Sequence, residues 1–223
     1  MEPEKIGEIL KKSHTLKIAK ASSSESIINH EAKRRYLEGD KLWKASGISK
    51  RHEMNNNETM LKHNKFNIAY QKSLSVVKKN NTVLLLGDRG NGKTQCGIEI
   101  IRSICFNDLR FCRYIRCREI GMKLREAFGD KSSLTEIQAM EQFVLPYLLV
   151  IDECQERMES DFEVRSLTLI IDKRYGECKP SVLIANCNEK DFRSLLGPSI
   201  VDRAKEGGGA VVFDWPSFRG KNA

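Results

Sequence analysis

The residues Gly87, Asp88, Arg89, Gly90, Asn91, Gly92, Lys93 and Thr94 follow the pattern G-x-x-x-x-G-K-[ST]. The apolar run "TVLLL" precedes them and a stretch with helical spacing follows, which is the strand–loop–helix context the pattern needs. Glycines let the backbone curl until successive N–H groups point at phosphate oxygens, and the next helix turns its positive N-terminal end on the same anions. Lys93 is then expected to reach the β- and γ-phosphates and Thr94 to offer its hydroxyl to Mg2+. The loop therefore predicts a bound nucleotide, ATP, with its magnesium ion.

A second group of residues adds reaction chemistry. "YLLVIDE" puts Asp152 and Glu153 at the end of an apolar strand, 59 residues after Lys93. In a parallel sheet that end faces the phosphate loop. Asp152 suits magnesium, through water, and Glu153 suits the orientation and deprotonation of an attacking water. A third apolar strand, "SVLIANCN", ends in Asn186 and Asn188. One of the two is expected to hold the water or sense the γ-phosphate, with Asn188 preferred. Arg203, in a helix before a run of glycines, either enters a neighbouring subunit's site in a head-to-tail assembly or forms a surface salt bridge.

The elements that must position these residues alternate. Strands are expected at 82–86, 111–117, 147–151 and 181–187, with helices at about 93–104, 118–128 and 162–175 between them. Continuous apolar strands alternating with helices predict an α/β fold, a parallel sheet covered by helices on both faces. Ser133 and Glu136 fit a capping box ahead of Leu145. Upstream, Phe66, Ala69, Tyr70, Leu74 and Val77 mark a lead-in helix, and Ile27, Ala32, Tyr36 and Leu37 mark a weakly amphipathic one from about 24 to 42. The expected organisation is a basic helical and flexible region at 1–50 suited to a partner, a linker with the lead-in helix at 51–80, and the α/β domain at 81–223.

Charge supports that division, because residues 1–80 hold 17 Lys/Arg against 9 Asp/Glu and so carry the whole net charge of +8. Such a field attracts nucleic acid or an acidic protein surface; it is also what a solvated helical face looks like. The seven cysteines fall between Cys96 and Cys187, without a secretory signal or an apolar run of membrane-spanning length, which predicts a cytoplasmic protein. Cys105, Cys112 and Cys117 lack the paired short spacing of a zinc site and read as buried thiols.

From about Trp43 to Arg219 the chain resembles the DnaC-type replicative-helicase loaders, a branch of the AAA+ ATPases. "SGISKRH", "LLLGDRGNGKT", "LLVIDE", "LIIDKRYGECKPSVLIANCN", "LLGPSIVDR" and "VVFDWPSFR" occur in family order. The resemblance implies an ATP-hydrolysing loader of a hexameric replicative DNA helicase onto single-stranded DNA, working as a homo-oligomer in the ATP state. It further implies Asp152 and Glu153 as the magnesium and water-activating acids, Asn188 as the sensor and Arg203 as the trans-acting arginine. Arg174 also falls on a family position, with a structural role open to it. Helicase binding by the region before Trp43 follows from position and charge, since no motif there matches. Two other readings remain: the related ATP-binding helper of insertion-sequence transposases and a small-molecule P-loop kinase.

Overall fold

Apolar runs too short for helices and too continuous for a half-exposed sheet form the centre of the structure. In the computed structural model, which describes residues 23–54, 58–127, 135–156 and 161–219, these runs are parallel strands. They are β1 (Val83–Gly87), β2 (Cys112–Arg116), β3 (Leu148–Asp152), β4 (Ser181–Ala185) and β5 (Ala210–Phe213). The order across the sheet is β2-β3-β4-β1-β5, and every neighbouring pair is parallel.

The helices are α1 (Ser23–Ala45), α2 (Lys50–Glu53), α3 (Glu58–Lys62), α4 (Asn64–Lys78), α5 (Lys93–Ser103), α6 (Cys117–Ala127), α7 (Glu136–Val144), α8 (Asp161–Gly176), α9 (Glu189–Leu196) and α10 (Pro198–Glu206). Alternate residues of a strand point to opposite faces. Val83 and Leu85 therefore join Val150, Val182 and Ile184 against Phe66 and Val77 of α4 and Ile98 and Ile101 of α5. Leu84 and Leu86 join Leu149, Ile151 and Leu183 against Leu124, Phe143, Ile170, Phe192 and Val201 of α6 to α10. Cover on both faces is why β1, β3 and β4 read as unbroken apolar runs.

The chain divides into two compact units, residues 1–36 and 37–223, and of the first the start of α1 is described. Within the second, the core reaches back to Trp43, whose ring lies 4.6 Å under the Arg102 guanidinium. Tyr36 and Leu37, expected on an apolar helix face, are exposed.

Two sequence expectations change. β5 was not expected: it is four residues long, follows three consecutive glycines and exposes Val212 at the sheet edge, so it lacks the apolar signature of a covered strand. The capping box belongs to Thr135 and Gln138, not to Ser133 and Glu136, because α7 begins at Glu136; Ser133 lies outside the described residues. Arg113 and Arg116 fit their strand because β2 is an edge. Arg113 bonds Gln142 and lies 5.4 Å over the Phe143 ring. Cys105, Cys112 and Cys117 are buried in the two cores, as small apolar residues would be.

Arg174 is fully buried near the end of α8 and, among the described residues, has no carboxylate as a hydrogen-bond acceptor. Its guanidinium donates to the Ser181 hydroxyl at 2.9 Å and to the carbonyls of Phe143, Val144, Pro146, Tyr147 and Pro180 at 2.6 to 3.2 Å. Those carbonyls end α7 and lead into β3 and β4, so one side chain ties three elements together. Burial pulls the guanidinium down to about 9, with Glu177 and Cys112 opposing, which still leaves a cation at neutral pH. The family position held by Arg174 is thus structural in this chain. Arg174→Ala is expected to cost about 3–5 kcal/mol in urea denaturation, the price of breaking a buried charged network. A loss below about 1 kcal/mol would show that the cage contributes nothing.

Candidate functional site

The carboxyl ends of β1, β3 and β4 lie side by side, and each continues into polar residues. From β1 the chain curls through Gly87 to Gly92 into α5; Gly87, Gly90 and Gly92 all adopt positive φ, 135°, 87° and 91°. Side chains at Asp88 and Arg89 are exposed, so these two residues offer the loop their backbone. Lys93 is buried, and its ammonium donates to the carbonyls of Gly87 at 2.9 Å and Asp88 at 2.5 Å. Burial lowers the Lys93 pKa from the ordinary lysine value, and the charges of Asp152 and Asp88 counter that shift.

Asp152, 4% exposed at the end of β3, is the junction of the site. Its Oδ2 accepts from the Thr94 hydroxyl at 2.7 Å and from the Tyr114 hydroxyl at 2.8 Å, and its Oδ1 accepts from the Glu153 amide at 2.7 Å. The loop and the acidic strand are thereby joined by a direct bond. Tyr114 was not expected here. It sits two residues before the end of an arginine-flanked strand, and nothing in the spacing says that β2 neighbours β3. Burial, then the Asp152 charge, pushes its phenol well above the ordinary value, so it stays a donor.

Glu153 follows with φ 58°, a left-handed conformation that non-glycine residues rarely take and that concentrates at functional positions. Its carboxylate pairs with the Arg116 guanidinium at 3.6 Å. Burial, then the neighbouring charges of Glu156 and Asp152, raises the Glu153 pKa against the opposing pull of Arg116.

The two asparagines separate in the structure. β4 ends at Ala185, level with Leu86, which puts Asn186 beside the start of the phosphate loop. The Asn186 amide donates to Gln155 Oε1 at 2.9 Å. Asn188, two residues on, caps α9: its Oδ1 accepts from the Asp191 amide at 2.9 Å and its Nδ2 donates to the Asp191 carboxylate at 2.8 Å. Both polar atoms of the preferred sensor are therefore engaged in starting a helix. Arg203, in α10, pairs with Asp172 of α8 and lies 5.3 Å over the Tyr175 ring, which is the salt-bridge alternative.

A parallel sheet in this order, with a phosphate loop after the first strand and an acidic pair at the end of the third, is the arrangement of a phosphate-loop nucleotide-binding α/β domain. The chain belongs to the family of IstB-like ATP binding proteins, whose model matches residues 16–204. The replicative helicase loader DnaC of Escherichia coli strain K12 is 27% identical over 136 residues, 60% of this chain and 55% of that protein. The DnaC of Buchnera aphidicola subsp. Baizongia pistaciae is 24% identical over 161 residues, 71% and 65% of the two chains. The chain thus spans just over half to two thirds of the length of these relatives. A crystal structure of the DnaC helicase loader superposes with a TM-score of 0.62 at 18% identity, covering 74% of this chain and 99% of that one. Domain III of the Thermotoga maritima replication initiation protein DnaA gives 0.57, also at 18% identity, over 68% and 63%.

The cap at Asn188 is testable apart from any activity. Asn188→Ala is expected to lower stability by about 1 kcal/mol, the usual cost of losing a helix N-cap, measured by thermal or urea unfolding. An unchanged midpoint would show that the cap is not formed in solution.

Proposed function

We propose that the chain hydrolyses ATP with Mg2+ at this site and uses the cycle to load a replicative DNA helicase onto single-stranded DNA. The observation that carries the proposal is the direct bond between Thr94 and Asp152, which holds the acidic pair against the phosphate loop in a chain of an ATP-binding family. Relatives of this chain are named replicative helicase loaders, which supports the choice of partner.

The residues suit the ion as well as the nucleotide. Thr94 and Asp152 bring a hydroxyl and a carboxylate together, hard oxygen donors of the kind Mg2+ prefers, and these two would hold it. Bound there, magnesium supplies neutralisation of phosphate charge. Lys93 neutralises the β- and γ-phosphates, and the loop amides of Gly87 to Thr94 orient them. Glu153 takes the proton of the attacking water, once it is released from Arg116. Asn186, at the level of the loop, replaces Asn188 as the residue we assign to hold that water. Arg203, exchanging Asp172 for a neighbour's nucleotide, completes the site in a homo-oligomer. The basic region at 1–50 binds the helicase, and the α/β domain at 81–223 carries the cycle. We place this activity in the cytoplasm, where free cysteines stay reduced; all seven are unpaired here. No helix among the described residues is long and apolar enough to cross a membrane.

Two experiments test the reading. Glu153→Gln should bind ATP and abolish turnover, and hydrolysis by the native chain should fall as pH drops, with its acid limb above the ordinary glutamate range because the carboxylate is the active form and its pKa is raised. Unchanged hydrolysis in Glu153→Gln removes the base assignment. For the partner, mixing the protein with its cognate helicase, ATP and circular single-stranded DNA should yield a complex and a loaded helicase. Absence of both contradicts the proposal. Indifference to helicase with binding of duplex DNA beside a transposase would favour the transposase-helper reading, which the IstB-like match also suits.

A further inference from the structure

The residues after β5 turn back over the phosphate loop and hold its outer side. The Asn91 side chain, 3% exposed, donates through Nδ2 to the carbonyls of Phe213 at 2.9 Å and Trp215 at 2.7 Å. In return, the Trp215 indole Nε1 donates to the Asn91 carbonyl at 3.0 Å, and the Phe218 amide donates to the Gly90 carbonyl at 2.9 Å. The fit is close: a Cβ on Gly90 would collide with the Ser217 side chain, and one on Gly92 would stand 2.9 Å from the Phe66 ring and 3.4 Å from that of Phe218. Behind the contact, Trp215 lies 4.7 Å from the Phe213 ring and 5.8 Å from that of His63, so the indole has a packed seat.

Peptide geometry gives these bonds a consequence for the opposite side of the loop. In a trans peptide the C=O of one residue and the N–H of the next point in opposite directions, and the structure contains no cis peptide among the described residues. Holding the Gly90 carbonyl toward Phe218 therefore turns the Asn91 N–H away from the strap. Holding the Asn91 carbonyl toward the indole turns the Gly92 N–H away in the same manner. An anion-binding loop works by having such N–H groups aligned before the phosphate arrives.

We propose that residues 213–219 are the outer half of the nucleotide site, with Trp215 and Asn91 as positioning residues that preset the loop amides for the phosphates of a nucleoside triphosphate. Neither side chain touches the nucleotide; both act through the backbone of Gly90 to Gly92. The inference rests on the ATP-binding reading of the loop, and it adds that phosphate affinity is set in part by a segment outside the loop motif.

Trp215→Phe keeps an aromatic ring in the seat and removes the indole donor. Calorimetric titration with ATP should show affinity about tenfold weaker, the scale of one hydrogen bond that orders a binding group, with turnover at saturating ATP changed less than about twofold. Asn91→Ala should weaken ATP affinity by a similar factor from the other side of the exchange. A strap that only stabilises the fold would lower the melting temperature and leave ATP affinity within about twofold, and that result in either folded variant overturns the proposal. Hydrogen exchange on the unaltered chain gives a test free of folding defects. ATP should slow exchange in residues 214–219 together with the loop, and slowing in the loop alone contradicts the coupling. Failure of the unaltered chain to bind ATP would defeat the ATP-binding reading itself; normal binding with unaffected variants defeats this inference alone.

Discussion

A carboxylate removed from water costs several kcal/mol unless donors replace the lost hydration, and Asp152 meets that demand with three hydrogen bonds from three places in the chain. Thr94 comes from the start of α5, Tyr114 from β2 and the Glu153 amide from the residue after β3. Much of the site's shape follows from satisfying this one group. Thr94 cannot stay bonded unless α5 begins where the phosphate loop delivers it. The Tyr114 bond holds the edge strand against β3, and the Asp152 to Glu153 turn takes the left-handed backbone that sets the second carboxylate beside Arg116.

Two supports keep that arrangement rigid, and they work differently. On one side of the sheet the Arg174 cage fixes the chain entering β3 and β4 through carbonyls and one hydroxyl, so it needs no second charge and leaves the carboxyl ends of the strands free for chemistry. On the loop side the strap after β5 exchanges hydrogen bonds with Asn91 and packs its aromatic residues with Phe66 and His63 of the lead-in segment. The lead-in helix, the loop and the end of the sheet consequently form one packed body around the phosphate-binding backbone.

The parts of this architecture written in the sequence are those in which a residue's neighbours in space are also its neighbours in the chain. The phosphate loop, β1, β3 and β4 were legible because both faces of the sheet are covered, and a short continuous apolar run bounded by polar residues suits a covered strand better than any half-exposed element. Asn186 and Asn188 could not be told apart by pattern, since the choice depends on β4 ending at Ala185 and α9 starting at Glu189, a boundary shift of two residues. Tyr114, Arg116, Gln155 and Trp215 were missed because their partners lie 31 to 124 residues away and depend on strand order. Arg174 sat on a recognised position, but its acceptors are mostly backbone carbonyls, which carry no signature in a sequence.

The central claim is that the loop from Gly87 to Thr94, tied to Asp152, is a magnesium–nucleotide site. Isothermal titration of ATP into the chain with and without Mg2+, repeated on Lys93→Ala, tests it most directly. The account predicts one saturable site per chain, tightened by magnesium and weakened at least about tenfold in Lys93→Ala, the loss expected when a charge-assisted contact to phosphate is removed. Equal binding by both proteins, or none by the native chain, would contradict it.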